Sequence, residues 1–563
     1  MNRNLLLQHF DRISEAPDSI ARLRRFILDL AVRGKLVEQD TSDEPAAELL
    51  KRIHAEKVRL VKEGKIKEQK ELTKSTTEFP YKLPASWKWV PLGITVNSHL
   101  GGGTPSKNNS SYWDGDIFWA SVKDIGKGKY VDETIDKISN AGLKDSSSNL
   151  IPPGNLIVVT RMGLGKISIN RVPIAINQDL RALSLSSHSS IDYFYNFFKT
   201  HGYEGSGLTV KGIRVEELLN TNFPLPPLAE QHRIVAKVDE LMALCDQLEA
   251  ERNKREARRD RLAASSLNRI STTTAEEAKD ATRFHLNHLP RLTTRAEHIK
   301  QLRQTILNLA VRGKLVEQDP SDEPAAELVK RIQLEKARLV KEGLERKGKA
   351  PILLKADEIP YSLPVSWKWS QFSEIGFISP RNVADNDLQA SFVPMPMISA
   401  EYGIPNKHEV RSWGEIRSGF THFAEGDVGL AKITPCFENR KSTIFRQLTG
   451  GIGAGTTELH IVRPIFVVAE YMLIFLKCPH FIETGIPKMT GTAGQKRVPT
   501  EYFTSSPFPL PPFAEQHRIV SKVDELMALC DQLEASLNTT EADNRRLLEA
   551  VLRDALGAGV VAQ

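Results

Sequence analysis

Long apolar runs are missing from this 563-residue chain. No stretch approaches the roughly 18–20 residues that a membrane-spanning helix needs. Acidic residues interrupt the start, MNRNLLLQHFDRISEA, where a signal peptide keeps its apolar core. Both absences lead to the expectation of a cytoplasmic protein with no membrane partner. Cysteine is scarce as well: Cys245, Cys436, Cys478 and Cys530 form no C-x-x-C pair and no zinc-like spacing with histidine. Reduced, packed thiols and no metal are expected. Neither charge sign dominates, since 76 Lys and Arg face 70 Asp and Glu for a net charge of +6. Such a balance tolerates a nucleic-acid partner without demanding one. With 40% hydrophobic and 26% charged residues the chain falls outside the fibrous and disordered classes and has material for several globular pieces.

What the chain does have is self-similarity, and a fixed-offset repeat constrains architecture. Leu23 to Ile53, LRRFILDLAVRGKLVEQDTSDEPAAELLKRI, returns as Leu302 to Ile332 with about five differences. PYKLPASWKW from Pro80 returns as PYSLPVSWKW from Pro360, and LPPLAEQHRIVAKVDELMALCDQLEA from Leu225 returns from Leu510 with about two changes. Between these blocks, residues 92–222 and 372–507 share only faint echoes. A repeated framework around divergent inserts implies the same packing or partner for the framework and two different ligands for the inserts. Duplication with neutral drift is the plain alternative, but drift would not concentrate change in two blocks.

The third block reads as helix. Ile234, Val238, Leu241, Cys245 and Leu248 step by four and three as a heptad seam, and Ile519, Val523, Leu526, Cys530 and Leu533 repeat it. An antiparallel pair of long coiled-coil helices is expected. The first block predicts a helix from about Ser19 to a left-handed cap at Gly34, matched by Gly313, and a second helix from about Asp43 and Pro45 to Gly64. Residues 271–292 are polar and weakly periodic, which predicts a connector. The inserts carry short β-like runs such as NLIVVT from Asn155 and ELHIVRP from Glu458, with the helix-like stretches IDYFYNFFKT and AEYMLIFLK. Each insert, about 130 residues, can bury its own α/β core.

The LPxSWKW entries, the PLPPLAEQHRIV and PLPPFAEQHRIV exits, the LAVRGKL helix ends and the signatures GGGTPSKNNSSYWDGDIFWASVKDI and GDVGLAKITPCFENRKSTIF together resemble the specificity subunit of type I restriction–modification systems, over essentially the entire chain. That resemblance implies a non-catalytic subunit with an α+β fold and an internal pseudo-twofold repeat. It would have an N-terminal helical region (1–79), a first target recognition domain (80–224), a central helical region (225–358), a second target recognition domain (359–509) and a C-terminal coiled-coil helix (510–563). Each recognition domain would read one half of a bipartite site in double-stranded DNA. The helices would set the spacer and dock two DNA methyltransferase subunits, joined by endonuclease/translocase subunits. S-adenosylmethionine, ATP and Mg would be bound by those partners, with no cofactor in this chain. A rival reading is a standalone two-headed DNA-binding adaptor without methyltransferase partners.

Catalytic signatures are absent in keeping with this. Adenine methylation needs a D/N-P-P-Y/F loop beside a glycine-rich cofactor loop, and the sequence contains neither. GLERKGKA from Gly343 lacks the Ser or Thr of a phosphate loop, and GLGK from Gly163 is too short. His232 and His517 read as helix-surface or interface histidines.

DNA recognition needs polar side chains that reach base edges and basic or small groups on glycine-rich loops for phosphates. In the first insert the candidates are Thr104, Ser106, Lys107 and Asn108, then Arg161 and Lys166, then Lys211 and Arg214. The alternative for the first group is a turn anchored by aromatic residues, with Trp113 in the core. In the second insert they are Lys432, Asn439, Arg440 and Lys441, then Gln495, Lys496 and Arg497. The basic clusters before each exit occupy matching positions, which favours a general phosphate contact over base reading.

Overall fold

A computed structural model describes residues 14–68, 79–201, 212–346, 354, 358–492 and 494–556. The chain divides into two compact units, residues 1–254 with 541–563 and residues 255–540. Both mix helices with sheets, so the class is α+β.

The first unit opens with α1, Ser19–Val32, which turns Phe26, Ile27, Ala31 and Val32 inward. Gly34 follows in the left-handed region at φ +65°, where a Cβ would lie 2.5 Å from Pro84. Helix α2, Ala46–Lys62, has Glu48 in its first turn and Arg59 and Lys62 in its last, each charge opposing the helix dipole. Eleven strands follow among the described residues: β1 (Lys88–Pro91), β2 (Val96–Gly101), β3 (Ile117–Ala120), β4 (Tyr130–Val131), β5 (Asp136–Ile138), β6 (Leu150–Ile151), β7 (Leu156–Val159), β8 (Ile167–Asn170), β9 (Ile174–Ile176), β10 (Leu180–Leu185) and β11 (Asn222–Leu225). Helices α3 (Ile191–Thr200) and α4 (Val215–Leu219) lie between β10 and β11.

A central sheet runs in the order β2-β10-β7-β8-β4 and a second in the order β5-β3-β9-β6, while β1 and β11 pair at the insert's entry and exit. Strand β7 explains the layering: Leu156 and Val158 pack on the helical side, Ile157 and Val159 against the second sheet. The helical side is shared with the framework. Ile27, Leu49 and Ile53 meet Trp87, Tyr193, Phe194 and Phe223, together with Ile234, Val238 and Cys245 of α5, Leu228–Thr272.

The heptad positions of α5 therefore fill the unit's own core, with Leu241 at its margin, and Leu248, expected to continue the seam, is 48% exposed. Arg24 reaches across to Asp246 at 2.5 Å and Glu249 at 2.8 Å beside it, and Arg303 pairs likewise with Asp531 and Glu534 in the second copy, where Leu533 does pack against the core. The amphipathic spacing is present as expected, but what it packs on within the unit is an α/β core.

In the second unit α6, Ala275–Asn287, occupies most of the stretch expected to be a connector. Thr274 and Glu277 form its capping box, and Ala281 packs on Leu267 and Ile270 of α5. So narrow an apolar line suffices because it lies against a neighbouring helix, which is why the polar composition concealed it. Helices α7 (Ala296–Val311) and α8 (Ala325–Lys341) repeat α1 and α2, with Gly313 at φ +65°. Strands β12 (Lys368–Ser370), β13 (Gly376–Ile378), β14 (Gln389–Val393), β15 (Glu409–Ser412), β16 (Thr421–Ala424), β17 (Val428–Ala431), β18 (Ser442–Ile444), β19 (Ile452–Gly455), β20 (Leu459–Pro464) and β21 (Phe508–Leu510) follow. Helices α9 (Ala469–Lys477) and α10 (Thr500–Ser505) precede β21, and α11, Phe513–Leu556, ends the described chain. The sheets run β13-β20-β17-β18 and β15-β14-β19-β16, with β12 paired to β21. Each second sheet has one parallel pair, β3 with β9 and β14 with β19. Two inserts with little sequence in common thus share the order of eight strands, with β4 added at the edge of the first central sheet.

The framework repeats at the level of single hydrogen bonds. Trp87 Nε1 donates to Glu230 at 2.8 Å and Trp367 Nε1 to Glu515 at 2.9 Å, with Gln39 and Gln318 donating to the same carboxylates. Burial pushes both carboxyl groups above the usual range, and those hydrogen bonds only partly oppose it. Arg233 pairs with Asp43 at 2.6 Å and Arg518 with Asp322 at 2.5 Å. Gln231 accepts from Ser190 N and donates to Pro226 O, as Gln516 does with Val468 N and Pro511 O. In the identical AEQHRIV blocks three polar residues each satisfy a specific partner, while His232 and His517 are exposed. The lysine of LAVRGKL is engaged too, with Lys35 Nζ donating to Leu556 O at 2.5 Å and Lys314 Nζ donating to Ser271 O and Thr273 O. Each lysine caps the carbonyl end of a long helix.

Candidate nucleic-acid interface

Strand direction gathers the candidates. Gly101 pairs with Arg181 and Val159 with Leu180, so the end of β2, the start of β10 and the end of β7 lie at one end of the central sheet. Three loops meet there in the first head. The hairpin from Thr160 to Lys166 joins β7 to β8, and Ile213 N donates to Thr160 O at 2.9 Å, bringing Gly212 to Arg214 alongside. Residues 101–113 leave the same end after β2.

The glycines of this third loop are required by close approach, for a Cβ on Gly102 would lie 1.8 Å from Ile176 O. Thr104 is spent internally, donating to Gln178 at 2.5 Å, and Trp113 packs edge-on against Trp119 while its Nε1 donates to Ser106 O. Ser106, Lys107 and Asn108 remain exposed. Trp113 is thus a partly buried anchor, and the tip of the loop is exposed. Arg161 and Lys166 are exposed on the hairpin, where Met162, Gly163 and Gly165 take positive φ. Arg161 lies 3.6 Å from Asp179. Arg214 is exposed at the start of α4, whereas Lys211 lies outside the described residues, as do residues 347–350 of the rejected phosphate-loop match.

The second head repeats this arrangement with other side chains. The hairpin from Lys432 to Lys441 joins β17 to β18, and Val498 N donates to Lys432 O at 2.8 Å while Thr434 N donates to Lys496 O at 2.9 Å. Sequence spacing does not reveal that Arg161–Lys166 and Lys432–Lys441 are the same hairpin. Arg497 forks onto Glu458 with distances of 2.7–3.1 Å, which holds that carboxyl below its usual range. It is therefore already paired, unlike Lys496 and Gln495, which are exposed. Arg440 sits half-buried at φ +59° and has no ion pair among the described residues; burial lowers its pKa. Lys441 Nζ donates to Met395 O at 3.3 Å, and Asn439 is exposed.

The loop after β13, residues 379–388, leaves this sheet end as the glycine-rich loop does in the first head, and sequence reasoning misses it. It exposes Arg381, and Val383 is 98% exposed. Because it lacks the GGGTP signature, only its offset from the β13 strand could have pointed to it. Cations of this kind suit phosphates, and amides and hydroxyls suit base edges. Among the described residues no group of three or more His, Cys, Asp and Glu is placed to hold a metal ion, and no helix is long and apolar enough to cross a membrane.

Comparison with known proteins bears on this arrangement. Residues 84–256 match the family described as the type I restriction modification DNA specificity domain. The chain is 51% identical over 257 residues to the EcoEI specificity subunit and 48% over 257 residues to the EcoAI specificity subunit, both type I restriction enzymes of Escherichia coli. Each match takes in 45% of this chain and 43% or 44% of the relative, so it spans less than half the length of these two proteins. Similarity to the EcoKI specificity subunit of Escherichia coli K12 is lower, 22%, but runs over 86% of this chain and 91% of that one. Among solved structures, the HsdS subunit from Thermoanaerobacter tengcongensis aligns over 86% of this chain and 100% of its own with 18% identity and a TM-score of 0.39. The resemblance carried by the sequence motifs and the family matched by residues 84–256 are the same.

Proposed function

We propose that this chain is the sequence-specific DNA-recognition and scaffold subunit of a type I restriction–modification complex. Its two heads, within 80–224 and 359–509, each read one half of a bipartite DNA site. The observation that carries this is the repeated sheet end: one order of eight strands, the same three loops, and different side chains at the tips. A shared scaffold gives both heads the same approach to a duplex, and divergent tips give them different half-sites. Phosphate contacts would come from Lys107, Lys166, Arg214, Lys432 and Lys496, and base-edge contacts from Ser106, Asn108, Asn439 and Gln495, because amides and hydroxyls match groove donors and acceptors. The chain itself is non-catalytic, acts in the cytoplasm, and leaves S-adenosylmethionine, ATP and Mg to partner subunits. The repeated framework, with its long helices as a coiled-coil pair, docks two methyltransferase subunits and, through them, the endonuclease subunits.

Exchanging residues 92–222 for the corresponding insert of a relative, then mapping methylated adenines, should change one half-site and keep the other. A joint change of both halves would end the idea of independent heads. Co-purification with methyltransferase subunits separates this function from a standalone DNA-binding adaptor. The spacer is tested by inserting four residues after Leu262 of α5. That adds about 6 Å and about 40° of rotation, close to two base pairs of rise. The spacer should lengthen with both half-sites intact and some affinity lost to DNA twisting.

A further inference from the structure

Lys477, the last residue of α9, is 2% exposed, and no acidic side chain pairs with it among the described residues. Its Nζ donates instead to three backbone carbonyls, Ala400 O and Arg440 O at 3.1 Å and Ser399 O at 3.3 Å. Three carbonyl acceptors converge on one amine nitrogen. Ser399 and Ala400 belong to the segment between β14 and β15, and Arg440 belongs to the hairpin loop between β17 and β18. One cation on a helix packed in the core, beside Tyr471, Ile474 and Phe475, thus ties together two loops far apart in sequence. Arg440 is also the residue at φ +59°, a conformation that needs support from its surroundings when the residue is not glycine.

Burying an unpaired ammonium is costly, and a methionine of similar length would avoid the cost. The charge is worth keeping only for what it holds. The first head has no such tie among its described residues. Tyr193 and Tyr471 occupy matching places, each donating to the carbonyl of the proline before the exit, and six residues on from each stand Lys199 and Lys477. Lys199 is exposed, lying over the ring of Tyr195.

We propose that Lys477 is a positioning residue that sets the geometry of the second head's hairpin loop, and through it the base discrimination of one half-site only. This rests on the reading of the heads as DNA-binding. It can be tested with the full chain assembled with methyltransferase subunits, by selecting bound duplexes from a randomised pool at fixed salt. Lys477→Met should lower discrimination in one half-site by about tenfold and leave the other unchanged. Lys199→Met should leave both unchanged. Hydrogen exchange should quicken in residues 397–401 and 434–441 of Lys477→Met, while α7 and α9 keep their protection. Full discrimination in both half-sites, or equal loss in both, would overturn the proposal.

If Lys477→Met loses protection throughout the unit, Lys477→Arg takes its place. Arginine keeps the charge, but its planar fork cannot meet three converging carbonyls. The same one-sided loss is expected, and intact discrimination would overturn the proposal. Should the wild-type chain select no half-sites at all, the DNA-reading function fails, while the exchange comparison still decides whether Lys477 holds the loops.

Discussion

Apart from β4, which only the first head has among the described residues, the two heads pair their strands in the same order, yet they secure their loops by different means. An acidic residue precedes β10 and β20, identified by equivalent bonds from Thr160 N to Asp179 O and from Lys432 N to Glu458 O. In the first head this acid faces Arg161, from the hairpin; in the second it grips Arg497, from the loop before the exit. The first head shapes its third loop with close-packed glycines, the second uses a loop exposing Arg381 and Val383, and among the described residues only the second has a buried lysine tie, Lys477. The framework shows no such freedom. Trp87 and Trp367, Gln39 and Gln318, Glu230 and Glu515 make the same bonds in both units. Buried polar groups must be matched one by one, whereas water can satisfy a loop tip, so change accumulates at the tips.

The sharpest way to break that contrast is to cut the framework in each unit. Trp87→Ala and Trp367→Ala should each cost about 3–5 kcal/mol, because a large side chain leaves a cavity and a buried carboxyl loses its donor. Urea unfolding of the two variants should give similar losses; a large loss from one and a small loss from the other would mean the two copies are not equivalent.

A second comparison uses pH. Burial, with Arg440 acting in the same direction and Glu401 against it, pulls the Lys477 amine down to about 7. Between that value and its ordinary one near 10.5 the unfolded chain binds more protons than the folded one, so folded stability rises with pH across this window. The Tm of wild type relative to Lys477→Met should therefore climb by a few degrees from pH 7 toward pH 9.

Smaller effects belong to single cations at the sheet ends. Lys496→Ala should weaken binding to all sequences alike and reduce the salt slope by about one, as Arg214→Ala should in the first head. Arg497→Ala should do less to the slope, since its charge is already paired with Glu458. A loss confined to one base pair, measured by titration across salt concentrations, would make these residues readers instead. Smallest of all, Lys35→Ala and Lys314→Ala should each cost about 0.3–1 kcal/mol by uncapping a long helix, detectable as faster hydrogen exchange in its last turn.

Much of the framework is legible in the sequence. Helical spacing, Gly34 and Gly313 mark α1 and α7, and Pro45 with Gly64 bracket α2. The failures have physical causes. Residues 271–292 form α6 and a short helical turn with little apolar surface of their own, a line that becomes visible only against α5. Leu248 keeps the heptad spacing and is exposed, whereas its counterpart Leu533 packs against the core, so the spacing alone does not say where the core ends. Thr104 has the right chemistry for DNA and is spent on Gln178, and Arg497 is likewise taken by Glu458. A residue type states what a side chain can do; its neighbours decide whether it is free.

The amino-acid sequence by itself determined the duplicated framework, the helices with their glycine ends, the two divergent stretches between the repeated blocks, and the motif set that carries the family resemblance. These are local signals or direct identities, and they need no partner to be read. Only the tertiary structure decided that each insert shares its core with the framework helices, that the two inserts share the order of eight strands, that residues near 104, 161 and 213 meet at one sheet end, and that Lys477 is buried while Lys199 is not. Those outcomes depend on pairing strands that lie far apart in the chain, and on whether each charge finds water, an acid or a carbonyl once the strands have closed.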